Sequence, residues 1–516
     1  VGAAAGAWAQ GRTSAITGRV ADESGGLVQH SRIQAVHVST GEARTTASGP
    51  DGFYRLPRLE LGAYEVTAEK DGFKASRHEG VILELDRETV VDHVLHVGNL
   101  AESVVVSGQA RIIEASPSAL TSLVDSKTIE ELPLNGRDYI QLATLQPGAS
   151  VARAHVRAVN QGYGLQISIS GSRPAQNNFS LDGVSLTTYN GSTPGSINGL
   201  NLGMDAVQEF SVHSSTYSAQ YGRAGGGLVN AVTKSGGNQF HGGLFYFHRN
   251  DNLDARNFFD GRQPPEFRRH QLGGSLGGPI LRDKTFFFAN YEGLRQARGN
   301  TTINTTLTAE ARKGNLTTGT VAVDPVMAQV AALYPLPNGE IFGDTGLFLF
   351  ANDETSREHF VTTRIDQNVS ATDKLFLRYS FDDGFKSNET DLAVGVRSNP
   401  TRFQSAALEE THVFSANLLN TARFGFLRTV TVDGRTVSQV PGADNPSFAF
   451  VPASGVMGTI DVTGLTTFPG GSGAANIDAH AFNSFQIGDD VTWMRGPHSL
   501  KLGGRFFPFQ AKIQPL

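Results

Sequence analysis

The chain has 516 residues, 59 of them Gly, no Cys, and a net charge of −6. Its length suggests about three domains, and its Gly content favours turn-rich β structure. The absence of Cys excludes disulfides and thiol chemistry in this chain, and the scattered Lys and Arg residues give no reason to expect a nucleic-acid partner.

The first residues suggest export. "VGAAAGAWAQ" is small and apolar, and Ala7-Trp8-Ala9 fits a signal-peptidase cleavage site before Gln10. We interpret residues 1–13 as the remnant of a signal peptide and a linker. No window approaches 18 consecutive apolar residues, so the sequence predicts no transmembrane helix, and a membrane role would require β-strands.

Residues 14–99 read as short alternating strands separated by turns. Ile33, Ala35 and His37 share one strand face, as do Tyr64, Val66 and Ala68 in a later strand. About seven such strands predict a small β-sandwich. "ITGRVAD", "TTASGPDGFYRLPRLELGAYEVTAEKDGF" and "VVDHVLHV" resemble the carboxypeptidase regulatory-like domain, which is a non-catalytic sandwich.

Two Asp-Gly pairs in this region raise the question of a calcium site. Asp51-Gly52 and Asp71-Gly72 lack the neighbouring carboxylates that a hard cation needs. Glycine accepts a positive φ at low cost, so both pairs are interpreted as tight turns.

Residues 100–109 contain "ESVVVSG". From composition alone this stretch is either the last strand of the sandwich or a free, strand-prone linker. Its position between two domains is the only further information that the residues themselves give.

Residues 110–239 combine short helices, strands and long Gly-rich loops. Ser126 is predicted to cap a helix whose apolar face carries Ile129 and Leu132, and Pro133 is expected to end it. "LPLNGRDY", "ISGSRPAQNNFSLDGV", "MDAVQEFSV" and "YGRAGGGLVNAVTKSGGNQFHG" follow in order. Together they resemble the plug domain of TonB-dependent outer-membrane transporters.

The resemblance implies that the polar plug motifs hold the plug together or contact the barrel wall; direct contact with substrate is the alternative. The candidate residues of these motifs are Asn135, Gly136, Arg137, Asp138, Arg173, Asn177, Asn178, Asp182 and Gly183.

Residues 240–516 alternate apolar and polar side chains over segments of about eight to fifteen residues. In "KLFLRYSFD" the apolar residues from Leu375 to Phe381 share one face, and Arg378 and Ser380 lie on the other. Short turns alternate with long loops, the longest being Arg295–Arg357. This pattern is typical of an outer-membrane barrel, with a soluble sandwich as the alternative.

We count about nine barrel strands, whereas such transporters close with about 22. The sequence therefore predicts the N-terminal part of a barrel, an open curved half-barrel in a chain cut at both ends. The expected fold class is mainly β, with an N-terminal β-sandwich, an α+β plug domain and an incomplete antiparallel transmembrane β-barrel.

The order of sandwich, plug and barrel resembles the Oar-like group of TonB-dependent receptors. Given that resemblance, "ESVVVSG" is similar to the TonB box, the segment that the periplasmic protein TonB takes up as an added strand. The residues that match are Glu102, Ser103, Val104, Val105, Val106 and Ser107.

No enzyme signature, phosphate loop or metal-ligand spacing occurs in the sequence. The resemblance implies TonB-dependent transport of an unidentified extracellular substrate across the outer membrane, energised by the proton-motive force, with TonB and outer-membrane lipid as partners and no cofactor. The alternative is an adhesion or secretion-related surface protein with the same architecture. A carbohydrate-binding accessory protein is disfavoured because only 2 Trp are present.

Overall fold

A computed structural model describes the chain over residues 13–98, 103–107, 111–114, 120–132, 134–152, 164–188, 195–196, 198, 203–215, 221–222, 224–256, 258, 260, 264–471, 478–495 and 498–515. The predicted signal-peptide remnant, apart from Thr13, lies outside these residues, as do Glu102 and Pro133. Among the described residues, no helix is both long and apolar enough to cross a membrane.

Two five-stranded sheets form the N-terminal sandwich. One has the order β10-β7-β1-β4 with β8 beside β1, and the other has the order β3-β2-β5-β6-β9. The strands are β1 (Ser14–Asp22), β2 (Arg32–His37), β3 (Ala43–Ala47), β4 (Phe53–Leu59), β5 (Gly62–Glu69), β6 (Ala75–Leu83), β7 (Arg87–Val90), β8 (His93–Leu95), β9 (Ser103–Ser107) and β10 (Arg111–Glu114).

The predicted alternation in the sandwich is confirmed. Each side chain assigned to the apolar faces of β2 and β5 is buried, and these side chains pack into one core between the sheets. Gly52 and Gly72 have φ values of 66° and 85°, as the two predicted turns require.

Within its described residues, the plug consists of a five-stranded sheet of order β11-β16-β17-β14-β15, two short helices and a two-stranded sheet. Its elements are β11 (Leu120–Val124), α1 (Ser126–Glu131), α2 (Ile140–Ala143), β12 (Ala149–Val151), β13 (Ile167–Ile169), β14 (Asn178–Leu181), β15 (Val184–Ser185), β16 (Val207–Ser215) and β17 (Leu228–Thr233). Short 3₁₀ helices include Asn135–Arg137, Pro174–Gln176 and Met204–Ala206.

The predicted cap of α1 was wrong by one residue. Asp125 caps the helix, because its Oδ1 accepts from the Thr128 backbone N–H at 2.8 Å, and Ser126 is the first helical residue. Ile129 is buried as expected, but Leu132 is exposed and does not share its face in the core.

Most of the remaining strands form one antiparallel wall. Its elements are β18 (His241–Asn250), β19 (Phe267–Leu281), β20 (Thr285–Leu307), α3 (Ala309–Arg312), β21 (Asn315–Leu316), β22 (Gly319–Thr320), α4 (Pro325–Ala332), β23 (Ile341–Phe342), β24 (Thr345–Asn368), β25 (Asp373–Glu389), β26 (Gly395–Ser415), β27 (Leu418–Asp433), β28 (Arg435–Ser438), β29 (Asp478–Arg495), β30 (His498–Phe506) and β31 (Phe509–Pro515).

The order along the wall is β18-β19-β20-β24-β25-β26-β27-β29-β30, and within the described residues β18 and β30 do not pair with each other. The predicted open wall is therefore confirmed, together with the mainly β fold class. β23, β28 and β31 add short pairings to β24, β26 and β29. Among the described residues, β21 and β22 pair only with each other.

The strands are longer than predicted. β20 and β24 pair in unbroken register from Thr285↔Gln367 to Leu307↔Thr345. The expected loop Arg295–Arg357 was therefore wrong at both ends, because its Thr- and Asn-rich flanks continue the ladder and only residues 308–344 connect the two strands.

Strand parity separates an apolar outer face from an inner face on which polar residues mix with buried apolar ones such as Phe288 and Phe376. Leu375, Leu377 and Tyr379 face outward and are exposed, whereas Arg378 and Ser380 are buried on the inner face beside the plug. Adjacent strands continue the apolar outer face at Ile365, Leu408, Phe424 and Ile487. This is the arrangement expected of a barrel wall in lipid.

The sandwich lies at the end of the wall where the turns are short. Asn238, just after the plug, donates its backbone N–H to the carbonyl of Ser39 in the sandwich at 2.7 Å and its side chain to Asp283, in the turn between β19 and β20, at 2.7 Å. Lys374 at the start of β25 pairs with Glu42 of the sandwich. Short turns face the periplasm in outer-membrane barrels, so the sandwich occupies the periplasmic end.

Because Tyr379 belongs to the outer face one row beyond Leu377, toward the middle of the apolar band, Tyr379→Arg should destabilise the full-length protein in vesicles by about 2–4 kcal/mol, as expected for a charge near the midplane. Urea unfolding in phosphatidylcholine vesicles measures this loss. Val369→Arg, placed in the exposed turn after β24, is the control and should cost less than about 1 kcal/mol. Equal costs would mean that the outer face does not contact lipid.

Candidate functional site

A tight hairpin brings the plug to the wall. Asp182 and Gly183 join β14 to β15, with Leu181 directly opposite Val184. Both turn residues have positive φ, 48° and 75°. A two-residue hairpin of this kind requires that conformation, which Asp-Gly adopts readily.

Asp182 forms a buried ion pair with the wall. Its Oδ2 lies 2.9 Å from Nε of Arg378 on β25, and neither side chain has any exposed surface. Within the plug, Asp182 Oδ1 accepts from the Thr233 backbone N–H at 3.0 Å and Oδ2 accepts from the Thr233 hydroxyl at 2.9 Å. The carboxylate is thus fixed from both sides.

Arg378 is held by polar groups around its guanidinium. It donates to the Ser380 hydroxyl at 2.9 Å and to the Ser405 hydroxyl at 3.2 Å, both on the wall. A second wall arginine, Arg364, lies 3.9 Å from Asp182 and donates to the Thr233 carbonyl at 2.6 Å. Removing water from these charges is costly, and the dense pairing offsets that cost.

Further wall residues form hydrogen bonds with the backbone of the hairpin. Arg505 donates to the Gly183 carbonyl at 3.0 Å. Gln486 donates to the Ser185 carbonyl at 2.7 Å and accepts from its N–H at 2.9 Å. A Cβ at Gly183 would lie 2.7 Å from the guanidinium carbon of Arg423, so glycine permits this close approach. We call residues 181–185 with these wall groups the hairpin anchor.

Arg137 makes a second plug–wall contact. It donates to Asp205 of the plug at 2.6 Å and to Glu292 of the wall at 3.2 Å, and Glu292 is fully buried. Its guanidinium carbon also lies 3.8 Å from the centroid of the Phe245 ring on β18. The neighbouring Gly136 carbonyl accepts from Gln271 of the wall at 3.1 Å.

The other predicted plug residues serve the plug itself. Asp138 accepts from the Ile140 N–H at the start of α2. Asn177 donates to the Ile167 carbonyl at 2.7 Å, and Asn178 donates to the Gly222 carbonyl at 3.0 Å. The wall contacts considered for Arg173, Asn177 and Asn178 are not seen in the described part of the chain; Arg173 is exposed. Asn135 begins a 3₁₀ helix.

The TonB-box-like segment is paired rather than free. β9 (Ser103–Ser107) lies parallel to β6, with Val104 opposite Ser76 and Val106 opposite His78. Within the described residues β6 is its one partner, so β9 forms the edge of that sheet. Val105 is 53% exposed, which leaves a strand with one open side.

A buried histidine supports β6 from beneath. His93 Nδ1 lies 3.1 Å from the Ser76 hydroxyl, and its ring packs edge-on against His78. Burial, with a smaller contribution from His78, lowers the pKa of His93 to about 3. Its contribution to stability is therefore complete above pH 6.5 and falls as the pH drops toward 3.

The sandwich and plug meet at two buried carboxyl groups. Asp86 accepts from Ser211 at 2.6 Å and pairs with His213 at 3.0 Å and with Tyr221. Burial acts to raise the pKa of Asp86, but these hydrogen bonds, led by that from His213, hold the pKa below its ordinary value. Glu209 accepts from the Leu85 N–H at 2.9 Å, and burial raises its pKa to about 7.

Comparison with known families agrees with this architecture. Residues 232–515 match the family model of the outer membrane beta barrel domain, residues 113–229 match the TonB-dependent receptor plug domain, and residues 15–96 match the carboxypeptidase regulatory-like domain. The first of these matches covers more than half of the chain. The chain belongs to the TonB-dependent receptors of the outer membrane.

The receptor is similar in sequence to one known transporter and in fold to another. It is 30% identical over 263 residues to the TonB-dependent transporter Oar of Myxococcus xanthus, an alignment covering 48% of this chain and 23% of that protein. Its fold is similar to the outer membrane transporter YddB of Escherichia coli, with a TM-score of 0.50 and 14% identity over 77% of this chain and 49% of that one. The matched region thus amounts to about half of the length of YddB and less than a quarter of the length of Oar.

Several residues that form these contacts in the receptor were not predicted from the sequence. Arg364 and Glu292 lie on the inward parity of β24 and β20, so strand alternation was the available signal. Asp86 and Glu209 carry no local signal, because their partners are more than 100 residues away along the chain.

The hairpin anchor predicts a large effect at Arg378. Arg378→Ala should lower the free energy of unfolding of the plug by about 3–5 kcal/mol, because Asp182 would stay buried without its partner. Thermal unfolding of the full-length receptor, followed by proteolysis of the plug, measures this.

Arg402→Ala is the matched control, since Arg402 pairs with Asp383 on the exposed outer face and should cost at most about 1 kcal/mol. The double variant Asp182→Asn, Arg378→Met should recover much of the loss. Equal losses in Arg378→Ala and Arg402→Ala would rule out a stabilising anchor.

The junction predicts a pH dependence. A carboxyl group whose folded pKa is about 7 favours folding below its ordinary value of 4.5 and loses that contribution as pH rises through 7. Glu209→Gln should therefore raise the unfolding temperature by about 3 °C at pH 8 and have little effect at pH 5. Exposed Glu131→Gln is the control; the same shift at both pH values would contradict this origin.

Proposed function

We propose that the receptor transports a substrate across the outer membrane in a TonB-dependent step energised by the proton-motive force. The observation that supports this best is the placement of β9 at the periplasmic end as an exposed edge strand. Only residues 108–119 separate β9 from β11, the first strand of the plug sheet.

An edge strand suits capture by a partner sheet. Main-chain N–H and C=O groups on the open side of β9 can pair with an added strand, which gives affinity with little demand on side chains. Exposed Val105 contributes β-propensity and an apolar contact. We assign TonB contact to residues 102–107 on this basis.

The polar hairpin anchor suits reversible displacement of the plug. While the anchor is dry, Asp182 and Arg378 attract each other strongly, and at an effective dielectric constant of 20 two charges 4 Å apart gain about 4 kcal/mol. Once water enters, both groups regain hydration and the attraction falls to about 1 kcal/mol. A pull that wets the anchor thus lowers the cost of moving the plug.

The role requires no covalent chemistry. The family consists of transporters and receptors, and the substrate of this one is unidentified. In the proposed cycle the substrate binds from outside and TonB pulls from the periplasm, so the energy is supplied mechanically.

A cysteine pair tests TonB contact directly, because this chain has no Cys of its own. In the full-length receptor, Val105→Cys should form a disulfide with a cysteine placed in the strand-binding region of TonB. Val38→Cys, equally accessible on the sandwich with 64% exposure, is the matched control and should not. Cross-linking of both, or of neither, would contradict the assignment.

Deletion of residues 102–107 tests the transport step. Uptake by cells carrying the full-length variant should be abolished while binding of substrate at the surface is retained, because only the link to TonB is lost. Normal uptake in this variant, or uptake unaffected by collapse of the proton-motive force, would overturn the proposal and favour a surface-interaction role.

A further inference from the structure

One cross-strand row on the outer face of the wall is strongly basic. His248 on β18 lies opposite His270, which lies opposite Arg295; Arg295 in turn lies opposite Arg357, and Arg357 opposite Phe385. Five neighbouring strands thus contribute to a single row. Like charges directly opposite each other destabilise a sheet, so these cross-strand pairs do not stabilise the wall.

These side chains face away from the plug. Glu292, Leu294 and Glu358 share the buried inward parity of β20 and β24, and Arg295 and Arg357 have the opposite parity and are exposed. The row therefore lies on the side of the wall that meets lipid, not on the side that meets a substrate in the lumen.

Its height along the wall matches the edge of a membrane. Arg295 is ten positions beyond Thr285, where β20 begins at the short turn. At about 3.3 Å per residue and a tilt of about 40°, this places it ~25 Å from the periplasmic end, the height of the apolar band of a barrel.

The residue types on the outer face change over that distance. One row near the short turns contains Phe287, Ile365, Leu377 and Leu408 in direct succession. Tyr291 and Phe381 follow four residues further along their strands, as in an aromatic girdle. The basic row lies four residues beyond Tyr291, past the row that contains His359, Asp383 and Arg402, at the extracellular boundary.

Arg295 and Arg357 have no ion-pair partner among the described residues, whereas Arg268 beside the row pairs with Glu266 at 2.7 Å. Arg295 donates to Nε2 of His359 at 2.6 Å, and Nδ1 of His359 lies 2.9 Å from the Tyr291 hydroxyl. Arg357 stacks 5.0 Å from the Phe385 ring centroid. Among the described residues no carboxylate lies within ion-pair distance of either arginine, whereas Arg402, one row closer to the periplasm, pairs with Asp383 at 2.7 Å.

A groove of about 400 Å³ runs between these side chains. It is lined by Arg268, His270, Arg295, Arg357 and Phe385 among others. Two fixed guanidinium groups beside an aromatic ring provide donors in the geometry that phosphate oxygens accept, and arginine binds phosphate through paired N–H groups.

We propose that Arg295 and Arg357, with His270 beside them in the row, bind the phosphate groups of a lipid headgroup in the outer leaflet. The acyl chains of that lipid would lie along the apolar rows below, and its phosphates would neutralise Arg295 and Arg357. Charge complementarity and the position of the groove at the extracellular edge of the apolar band both identify lipid, rather than a soluble anion, as the occupant.

Lipid binding to the purified, delipidated full-length receptor in detergent tests the site. The probe is a bis-phosphorylated lipid A, compared with the same lipid after removal of its phosphates. The wild-type receptor should bind the phosphorylated lipid at least about tenfold more tightly, since two charge-assisted contacts are lost without the phosphates. Equal binding of the two lipids would overturn the proposal without any variant.

Variants locate the site. Arg295→Gln with Arg357→Gln should weaken binding of the phosphorylated lipid by at least about tenfold, and Arg402→Gln, an outer-face arginine that already has a carboxylate partner, should change it less than about twofold. Unchanged binding in the double variant would overturn the assignment, as would full displacement by millimolar inorganic phosphate, which would identify a soluble anion as the ligand.

Discussion

The ion pair between Asp182 and Arg378 is the contact on which the arrangement of plug and wall depends. Both groups are fully buried, so each is tolerable only because the other is present. Asp182 also fixes Thr233 at the end of β17. A single carboxylate thus sets the hairpin turn, the end of the plug sheet and the position of both relative to β25.

The same strand parity produces a lipid face and a plug face that differ in chemistry. On β25, Leu377 and Tyr379 face lipid, and Arg378 and Ser380, the residues between and beside them, face the plug. The plug–wall interface is mixed: Val184 packs against Phe376 and Ala407, and wall residues Leu427 and Phe482 join the plug core. The polar hairpin anchor within it is stable when dry and loses its strength when water enters, which suits a plug that has to move.

Sequence alternation was sufficient to predict the wall, the inward direction of Arg378 and the sandwich face of Tyr64 and Val66, because these features are periodic. Alternation does not predict which segments pair when they are far apart in the sequence. Nothing local indicates that β9 lies beside β6 or that Asp86 meets His213. The cap of α1 and the length of β20 were missed because adjacent residues offered equally plausible signals, Asp125 beside Ser126 and Thr-rich sequence beside Arg295.

The central claim is that a pull on β9 reaches the plug and that the hairpin anchor resists it. Single-molecule force spectroscopy of the full-length receptor in a bilayer, with the handle at residue 103, tests this most directly. We expect detachment of β9 at low force, then release of the plug at a higher force that falls in Arg378→Ala, with the wall intact. A release force unchanged by that variant, or unravelling of wall strands before the plug, would contradict the account.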